Sequence, residues 1–260
     1  MAAMMGHVKV TLGRKARVMG ELSWACGPLT AFDLETTGTD VEHDRIVTAA
    51  LIRLEDATAP PSARTWLLDP GMAIPDGAAA IHGISTEYAR AHGGPAAEGV
   101  EEITRAVAES LSSGIPLVIM NARYDLSLLD RECRRHGVTP LSARLGGALS
   151  PVIDPLVLDK NLDRYRKGKR NLQALCEHYG VPLDHAHEAG ADAVAAAGVA
   201  RRLGELFPAA GAVSAAELHE LQVRAAAEQA ASFEQYLRRT SDPRASVEPA
   251  WPVIPYAVVG

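Results

Sequence analysis

The sequence predicts an α/β protein with a mixed sheet, and three observations carry that prediction. Three apolar, strand-like runs stand close together between residues 29 and 70. After residue 95 the apolar residues fall into helical spacing. Short buried runs at 115–121 and 151–160 then alternate with further helical segments. The early meander supplies antiparallel strands, and the later strand–helix units supply parallel ones.

Taken in order, LTAFDLE after Gly27-Pro28 reads as a strand, IVTAALIRLE (46–55) as a second, and RTWLLDP (64–70) as a third ended by its proline. From Ala96 to Ser113, Val100, Ile103, Val107 and Leu111 recur at helical spacing, and Gly114 and Pro116 close the segment. IPLVIMN (115–121) reads as a short buried strand. ARYDLSLLDRECRRHG then repeats Leu126, Leu129 and Cys133 at helical spacing and stops at Gly137. PVIDPLVLDK (151–160) is a strand or a strand-to-helix passage, NLQALCEHYG (171–180) a helix ending in glycine, and residues 188–207 a long Ala-rich helix. The order is β-β-β-α-β-α-β-α-α. Beyond Pro208, Ser214 and Glu217 form a capping box that opens a further helix to about Arg239, with an apolar face of Leu218, Leu221, Ala225, Ala226, Phe233 and Leu237. The last residues, with Pro243, Pro249, Pro252 and Pro255, read as extended. The expected organisation is a leader at 1–26, a domain at 27–207, and a C-terminal helix and tail at 208–260.

Composition narrows the class. Hydrophobic residues make up 47% and charged residues 22%, the balance of a soluble globular protein. No apolar run approaches the ~20 residues that cross a bilayer, and the N-terminus lacks the apolar core of a signal peptide. A cytoplasmic protein without membrane partners is expected. Cys26, Cys133 and Cys176 are scattered, with no C-x-x-C pair, and read as small packing residues. The net charge of −6 argues against coating nucleic acid by bulk electrostatics. It leaves room for an enzyme with a locally basic track and an acidic, metal-filled centre.

Asp33 and Glu35 sit one residue apart in AFDLETTGTD (31–40), so both point to one side of a strand. Two desolvated carboxylates on one face repel unless a cation lies between them, and Mg²⁺ or Mn²⁺ prefers such oxygen ligands. A D-x-E pair alone is a weak signal, and an edge strand with one wet face is the alternative. Asp125 begins the helix after a buried strand, at a strand's carboxyl end, where α/β sheets place their sites. Its plainer role is helix N-terminal charge, worth about 0.3–1 kcal/mol. Asp192 stands early in the Ala-rich helix, with His187 five residues before it. His185, His187 and Glu188 also raise a zinc cluster, but no cysteine is near and the spacing is not H-x-x-x-H.

Together FDLETTG (32–38), IHGIS (81–85), NARYDLSLL (121–129), IDPLVLDK (153–160) and HEAGADA (187–193) run in order over roughly residues 29–205. They resemble the DnaQ-like DEDDh 3′–5′ exonucleases, the family of bacterial polymerase proofreading subunits, RNase T and oligoribonuclease. The resemblance implies a ribonuclease H-like sheet flanked by helices. It implies that Asp33, Glu35, Asp125 and Asp192 hold two Mg²⁺ or Mn²⁺ ions and that His187 is the general base. Thr36, Thr37, His82 and Asn121 match positions near the terminal nucleotide. Two positions depart from the family pattern: Tyr124 stands where Phe is common, and Pro155 where Thr is common.

In RYRKGKR (164–170) five cations surround Tyr165. Such a run is often a solvated loop, but cations with an aromatic suit a single strand, which makes Arg166, Lys167 and Lys169 candidate phosphate contacts. The expected activity is release of nucleoside 5′-monophosphates from the 3′ end of single-stranded or frayed DNA, with RNA trimming as the alternative. A non-catalytic adaptor for nucleic acid or a replication protein is the reading from another class. Loss of an acid would mark it, and none is lost. AWPVIPYAVVG (250–260) reads as a docking peptide for a polymerase or sliding clamp, or as an arm lying back on the domain, which the preceding amphipathic helix favours.

Overall fold

A computed structural model describes residues 23–55, 60–184 and 186–257. The meander forms β1 (Leu29–Thr36), β2 (Ile46–Leu54) and β3 (Ser62–Asp69). Two short helices follow, α1 (Asp76–His82) and α2 (Thr86–His92), then a two-residue β4 (Gly94–Pro95) and α3 (Ala96–Ser112). β5 (Leu117–Val118) leads into α4 (Ala122–Arg135) and the single turn α5 (Leu141–Arg144). β6 (Val152–Ile153) leads into α6 (Pro155–Leu162), and α7 (Leu172–Tyr179) and α8 (Ala189–Leu206) come next. The single turn α9 (Pro208–Gly211) and the long α10 (Ala215–Thr240) complete the elements.

The helices α1 and α2 were not in the predicted order. Each is seven residues long, too short to show an apolar stripe. Their signals are punctuation: Gly83 closes α1 in the left-handed region at φ 76°, and Ser85 caps α2 by accepting the Tyr88 amide. IHGIS is therefore the joint between two helices. The expected strand at 115–121 shortens to a two-residue ladder, extended by the Ile119 amide donating to the Ile153 carbonyl at 3.0 Å.

The sheet has the order β4-β3-β2-β1-β5-β6. β1 pairs antiparallel with β2 and parallel with β5, and β5 pairs parallel with β6, so the mixed sheet is as the sequence predicts. Its ribonuclease H-like architecture puts β1 at the centre. Alternation along β1 divides the core between two faces. Phe32 and Leu34 pack with α3 and α4, whereas Leu29 and Ala31 pack with α7 and α8. Ala193, Ala196, Ala197 and Ala200 are fully or almost fully buried, and these small side chains let α8 lie close against the sheet. Asp33 and Glu35 share the α8 side with Leu29 and Ala31.

The edge strand β6 does not face solvent. His219 of α10 accepts the Val152 amide (3.2 Å) at Nδ1. Gln222 accepts the Asp154 amide (2.7 Å) and donates to the Val152 carbonyl (3.0 Å). A helix thus satisfies the outward polar groups of a sheet edge. No helix among the described residues is long and apolar enough to cross a membrane. Cys26, Cys133 and Cys176 are free thiols. Ser23–Cys26, expected to belong to the leader, close the far end of α8. Trp24 is buried and donates to the Ala210 carbonyl at 2.9 Å, and a Cβ at Gly204 would come within 2.8 Å of its ring. The remainder of the predicted leader lies outside the described residues.

The C-terminal tail takes the course of an arm. Trp251 is buried and donates to Asp154 Oδ2 at 3.3 Å, and the Ile254 amide donates to Ser127 Oγ at 2.8 Å. Arg131 donates to the Ile254 and Pro255 carbonyls, and Arg131 and Arg134 lie over the Tyr256 ring. Removing a buried Trp costs about 3–5 kcal/mol, and each kcal/mol is worth about 2–4 °C in a domain of this size. Deleting residues 241–260 is expected to lower Tm by roughly 10 °C in differential scanning calorimetry. An unchanged Tm would contradict the packed arm.

Candidate active site

The two acids of β1 point toward the first turn of α8, which brings Asp192 to them. Asp33, Glu35 and Asp192 each offer a carboxylate oxygen within 4.8 Å of the other two. The cause is local on both sides. The period of two on β1 places both acids on one face, and α8 starts at Ala189, so Asp192 falls in its first turn.

Asp125 is held behind this group. It is buried, and its Oδ1 accepts the Leu34 amide at 3.1 Å, tying α4 to β1. The N-terminus of α4 is fixed in turn by a residue with no role in the sequence reading. Asp154 is 1% exposed and accepts the Asn121 amide (3.0 Å), the Ala122 amide (3.0 Å) and its own helix's Leu156 amide (2.9 Å). Trp251 supplies the remaining donor. The available signal was an aspartate directly before Pro155, the pattern of an N-cap followed by proline at the first helical position.

Burial raises the Asp33 carboxyl well above its ordinary range, and the charges of Asp125, Glu35 and Asp192 raise it further. Burial, then Asp192, pushes Glu35 up to about 7. Burial also raises Asp192, opposed by the His187 amide, and raises Asp125, opposed by the backbone amides it accepts. All four acids are thus pushed the same way, by burial first and, at Asp33, Glu35 and Asp125, by neighbouring carboxylates as well.

His187 sits on the turn before α8 with φ 71°, in the left-handed region. Its amide donates to both oxygens of Asp192 at 3.3 Å, while its imidazole is exposed. Backbone and carboxylate are thus joined, and the ring is free to move. The other predicted residues divide. Thr36 Oγ1 donates to the Gly38 carbonyl (2.7 Å) and meets the Tyr124 hydroxyl (2.7 Å). Thr37 Oγ1 donates to Asp44 (2.7 Å) and accepts the Arg45 amide. Both threonines brace the loop after β1, and Tyr124, read only as a mild departure, joins α4 to that loop. His82 faces the Thr36 backbone. Its Nδ1 accepts the Ile84 amide, its Nε2 is buried without a hydrogen-bond partner, and burial lowers its pKa. Asn121 stands in the left-handed region at φ 62° with its side chain exposed.

The basic stretch lies elsewhere and is partly turned inward. Arg166 forms a two-point pair with Asp159 at 3.1 Å through Nε and 3.1 Å through the second nitrogen, and Arg170 also bonds Asp159. Arg166 is thus committed to the fold, while Lys167 and Lys169 remain exposed.

The sheet order, the paired acids on β1 and the acids opening α4 and α8 agree with the DnaQ-like DEDDh exonuclease family that the sequence resembles. The model of the RNase T family, described as exonuclease, matches residues 30–200, and the chain belongs to that family. The PolC-type DNA polymerase III of Lacticaseibacillus paracasei is 28% identical over 171 residues, 66% of this chain and 11% of that protein. The PolC-type enzyme of Caldanaerobacter subterraneus is 25% identical over 195 residues, 75% of this chain and 13% of its own length. The chain therefore spans about a tenth of these relatives. The zinc-bound E. coli exonuclease I–ssDNA complex aligns with TM-score 0.58 at 22% identity, over 70% of this chain and 41% of that one. Exonuclease I of Methylocaldum szegediense aligns with TM-score 0.55 at 25% identity, over 81% and 46%.

The raised carboxylates fix a pH dependence. A group whose folded pKa exceeds its unfolded value stabilises the fold below the unfolded value and loses that effect as pH rises through the folded one. For Glu35 the window runs from 4.5 to about 7. In EDTA, Tm is expected to fall across that window, and saturating Mg²⁺ or Mn²⁺ is expected to abolish the fall. Glu35→Gln should remove most of it without metal. A metal-free Tm flat over the same window would contradict the electrostatic description.

Proposed function

We propose that the protein removes nucleoside 5′-monophosphates from the 3′ end of single-stranded or frayed DNA, using two Mg²⁺ or Mn²⁺ ions. The observation that carries this reading is the convergence of Asp33, Glu35 and Asp192 within 4.8 Å, with Asp125 directly behind Asp33. Oxygen-only donors that repel one another suit a hard divalent cation. Asp33, Glu35 and Asp192 would hold the ions, with the free oxygen of Asp125 available beside them. When bound, such a pair neutralises the acids and stabilises the charge that develops on attacking and leaving oxygens.

The chain's own groups do the rest. His187 takes the proton of the attacking water on its imidazole, swinging in from the exposed turn whose amide is already tied to Asp192. Imidazole is the side chain most often used for that task near neutral pH. The loop braced by Thr36, Thr37 and Tyr124 follows directly on the acids of β1. The exposed side-chain amide of Asn121 is a group that a terminal nucleotide would complete. DNA is placed before RNA because the relatives are DNA polymerases and the solved neighbours include exonuclease I bound to ssDNA.

Purified protein should shorten 3′-ended single-stranded DNA stepwise on a gel, with Mg²⁺ or Mn²⁺ and not with EDTA. Asp33→Ala should abolish the ladder, and His187→Ala should lower kcat by about 10²–10⁴. Faster cleavage of RNA of matched sequence would move the substrate to RNA. No cleavage of either would contradict the reading.

A further inference from the structure

A groove of about 520 Å³ opens between α6, the basic stretch after it and the second half of α10. Its volume falls in the range of small-ligand sites. Lys160, Arg164 and Arg239 line it, and none of the three has a carboxylate partner among the described residues. Phe233 and Tyr236 also line it. They are 52% and 53% exposed and stack at 6.4 Å between ring centroids and 14° between planes. Tyr165, next to Arg164, is 89% exposed. Glu228 is the acid on its wall.

Half-exposed stacked aromatics on a helix face are costly to leave in water, and unpaired cations beside them are conspicuous in a chain of net charge −6. The ion pairs explain which cations remain outside. Asp159 draws Arg166 and Arg170 inward, which leaves Arg164 and Tyr165 at the surface of the loop. Cations at the rim and flat apolar rings within reach are what a single-stranded nucleic acid requires, through phosphates and bases respectively. The groove is also joined to the acids by one element. α6 is eight residues, about 12 Å, long, and its cap Asp154 holds the helix that carries Asp125.

We propose that this groove binds the single-stranded stretch of the substrate that trails behind the terminal nucleotides. The inference rests on a nucleic-acid substrate and deepens that reading by adding a site that α10 and the α6–α7 loop build together. Neither the acids nor the loop after β1 takes part in it. Its role is to retain the strand between successive cleavages, and its stacking surface is tolerant of base sequence.

The test is fluorescence anisotropy of labelled oligo-dT in EDTA, where cleavage cannot intervene, with a long and a very short oligonucleotide. Replacing Lys160, Arg164 and Arg239 by Ala is expected to reduce the slope of log K against log salt by about 2 for the long strand, at ~0.7 per lost phosphate contact. Phe233→Ala with Tyr236→Ala is expected to weaken long-strand binding by roughly tenfold or more. Both variants should keep wild-type Tm and wild-type cleavage of the short strand, and a variant lacking Arg90 and Arg244, outside the groove, should bind as wild type. Groove-dependent binding by a protein that cleaves nothing would support the groove while refuting the catalytic reading. Long-strand binding unaffected by either groove variant would overturn the proposal. So would no binding by the wild type, or displacement of a labelled acidic peptide from the groove with no effect of oligo-dT on it.

Discussion

Asp33 and Glu35 occupy the face of β1 on which Leu29 and Ala31 are buried, and α8 brings Asp192 onto the same spot. An isolated fold would place apolar side chains there, because desolvating like charges without a partner is among the most unfavourable things a core can contain. Everything around the site answers that constraint. The Ala-rich face of α8 permits the close approach, and the central place of β1 makes the position rigid. Burial raises the pKa of all four acids, and repulsion adds to it at Asp33, Glu35 and Asp125, which favours their protonated forms.

Positioning depends on a second buried acid. Asp154 gathers the first amides of α4 and of α6, so the direction of both helices is set by one carboxylate. Its shell is completed from far along the chain. Trp251 reaches it from the C-terminal arm, and the Gln222 side chain of α10 accepts its amide. The arm then continues along α4 through Ser127 and Arg131. Residues beyond the family-matched segment are in this way part of what holds Asp125 in place.

Much of this was legible in the chain because it is local. Alternation put Asp33 and Glu35 on one face, helical spacing marked α3 and α4, an Ala-rich run marked α8, and Ser214 with Glu217 announced α10 by its capping box, which the structure contains. The unread parts are of two kinds. α1 and α2 are too short for periodicity to register, and only their glycine and serine punctuation was present. The rest depends on contacts between residues distant in sequence. The inward turn of Arg166 onto Asp159, the bond of Tyr124 to the loop after β1, and the meeting of Trp251 with Asp154 at a separation of 97 residues leave no local pattern. The expected leader likewise took in Trp24, although its ring closes one end of α8.

The most direct measurement is calorimetric titration of Mn²⁺ into metal-free protein at about pH 6, below the value of about 7 to which Glu35 is raised, in two buffers of different ionisation enthalpy. Saturable binding that releases at least one proton, and that Asp33→Asn abolishes, is the expected result. Binding without proton release, or equal binding by Asp33→Asn, would contradict the assignment of the buried acids as a metal centre.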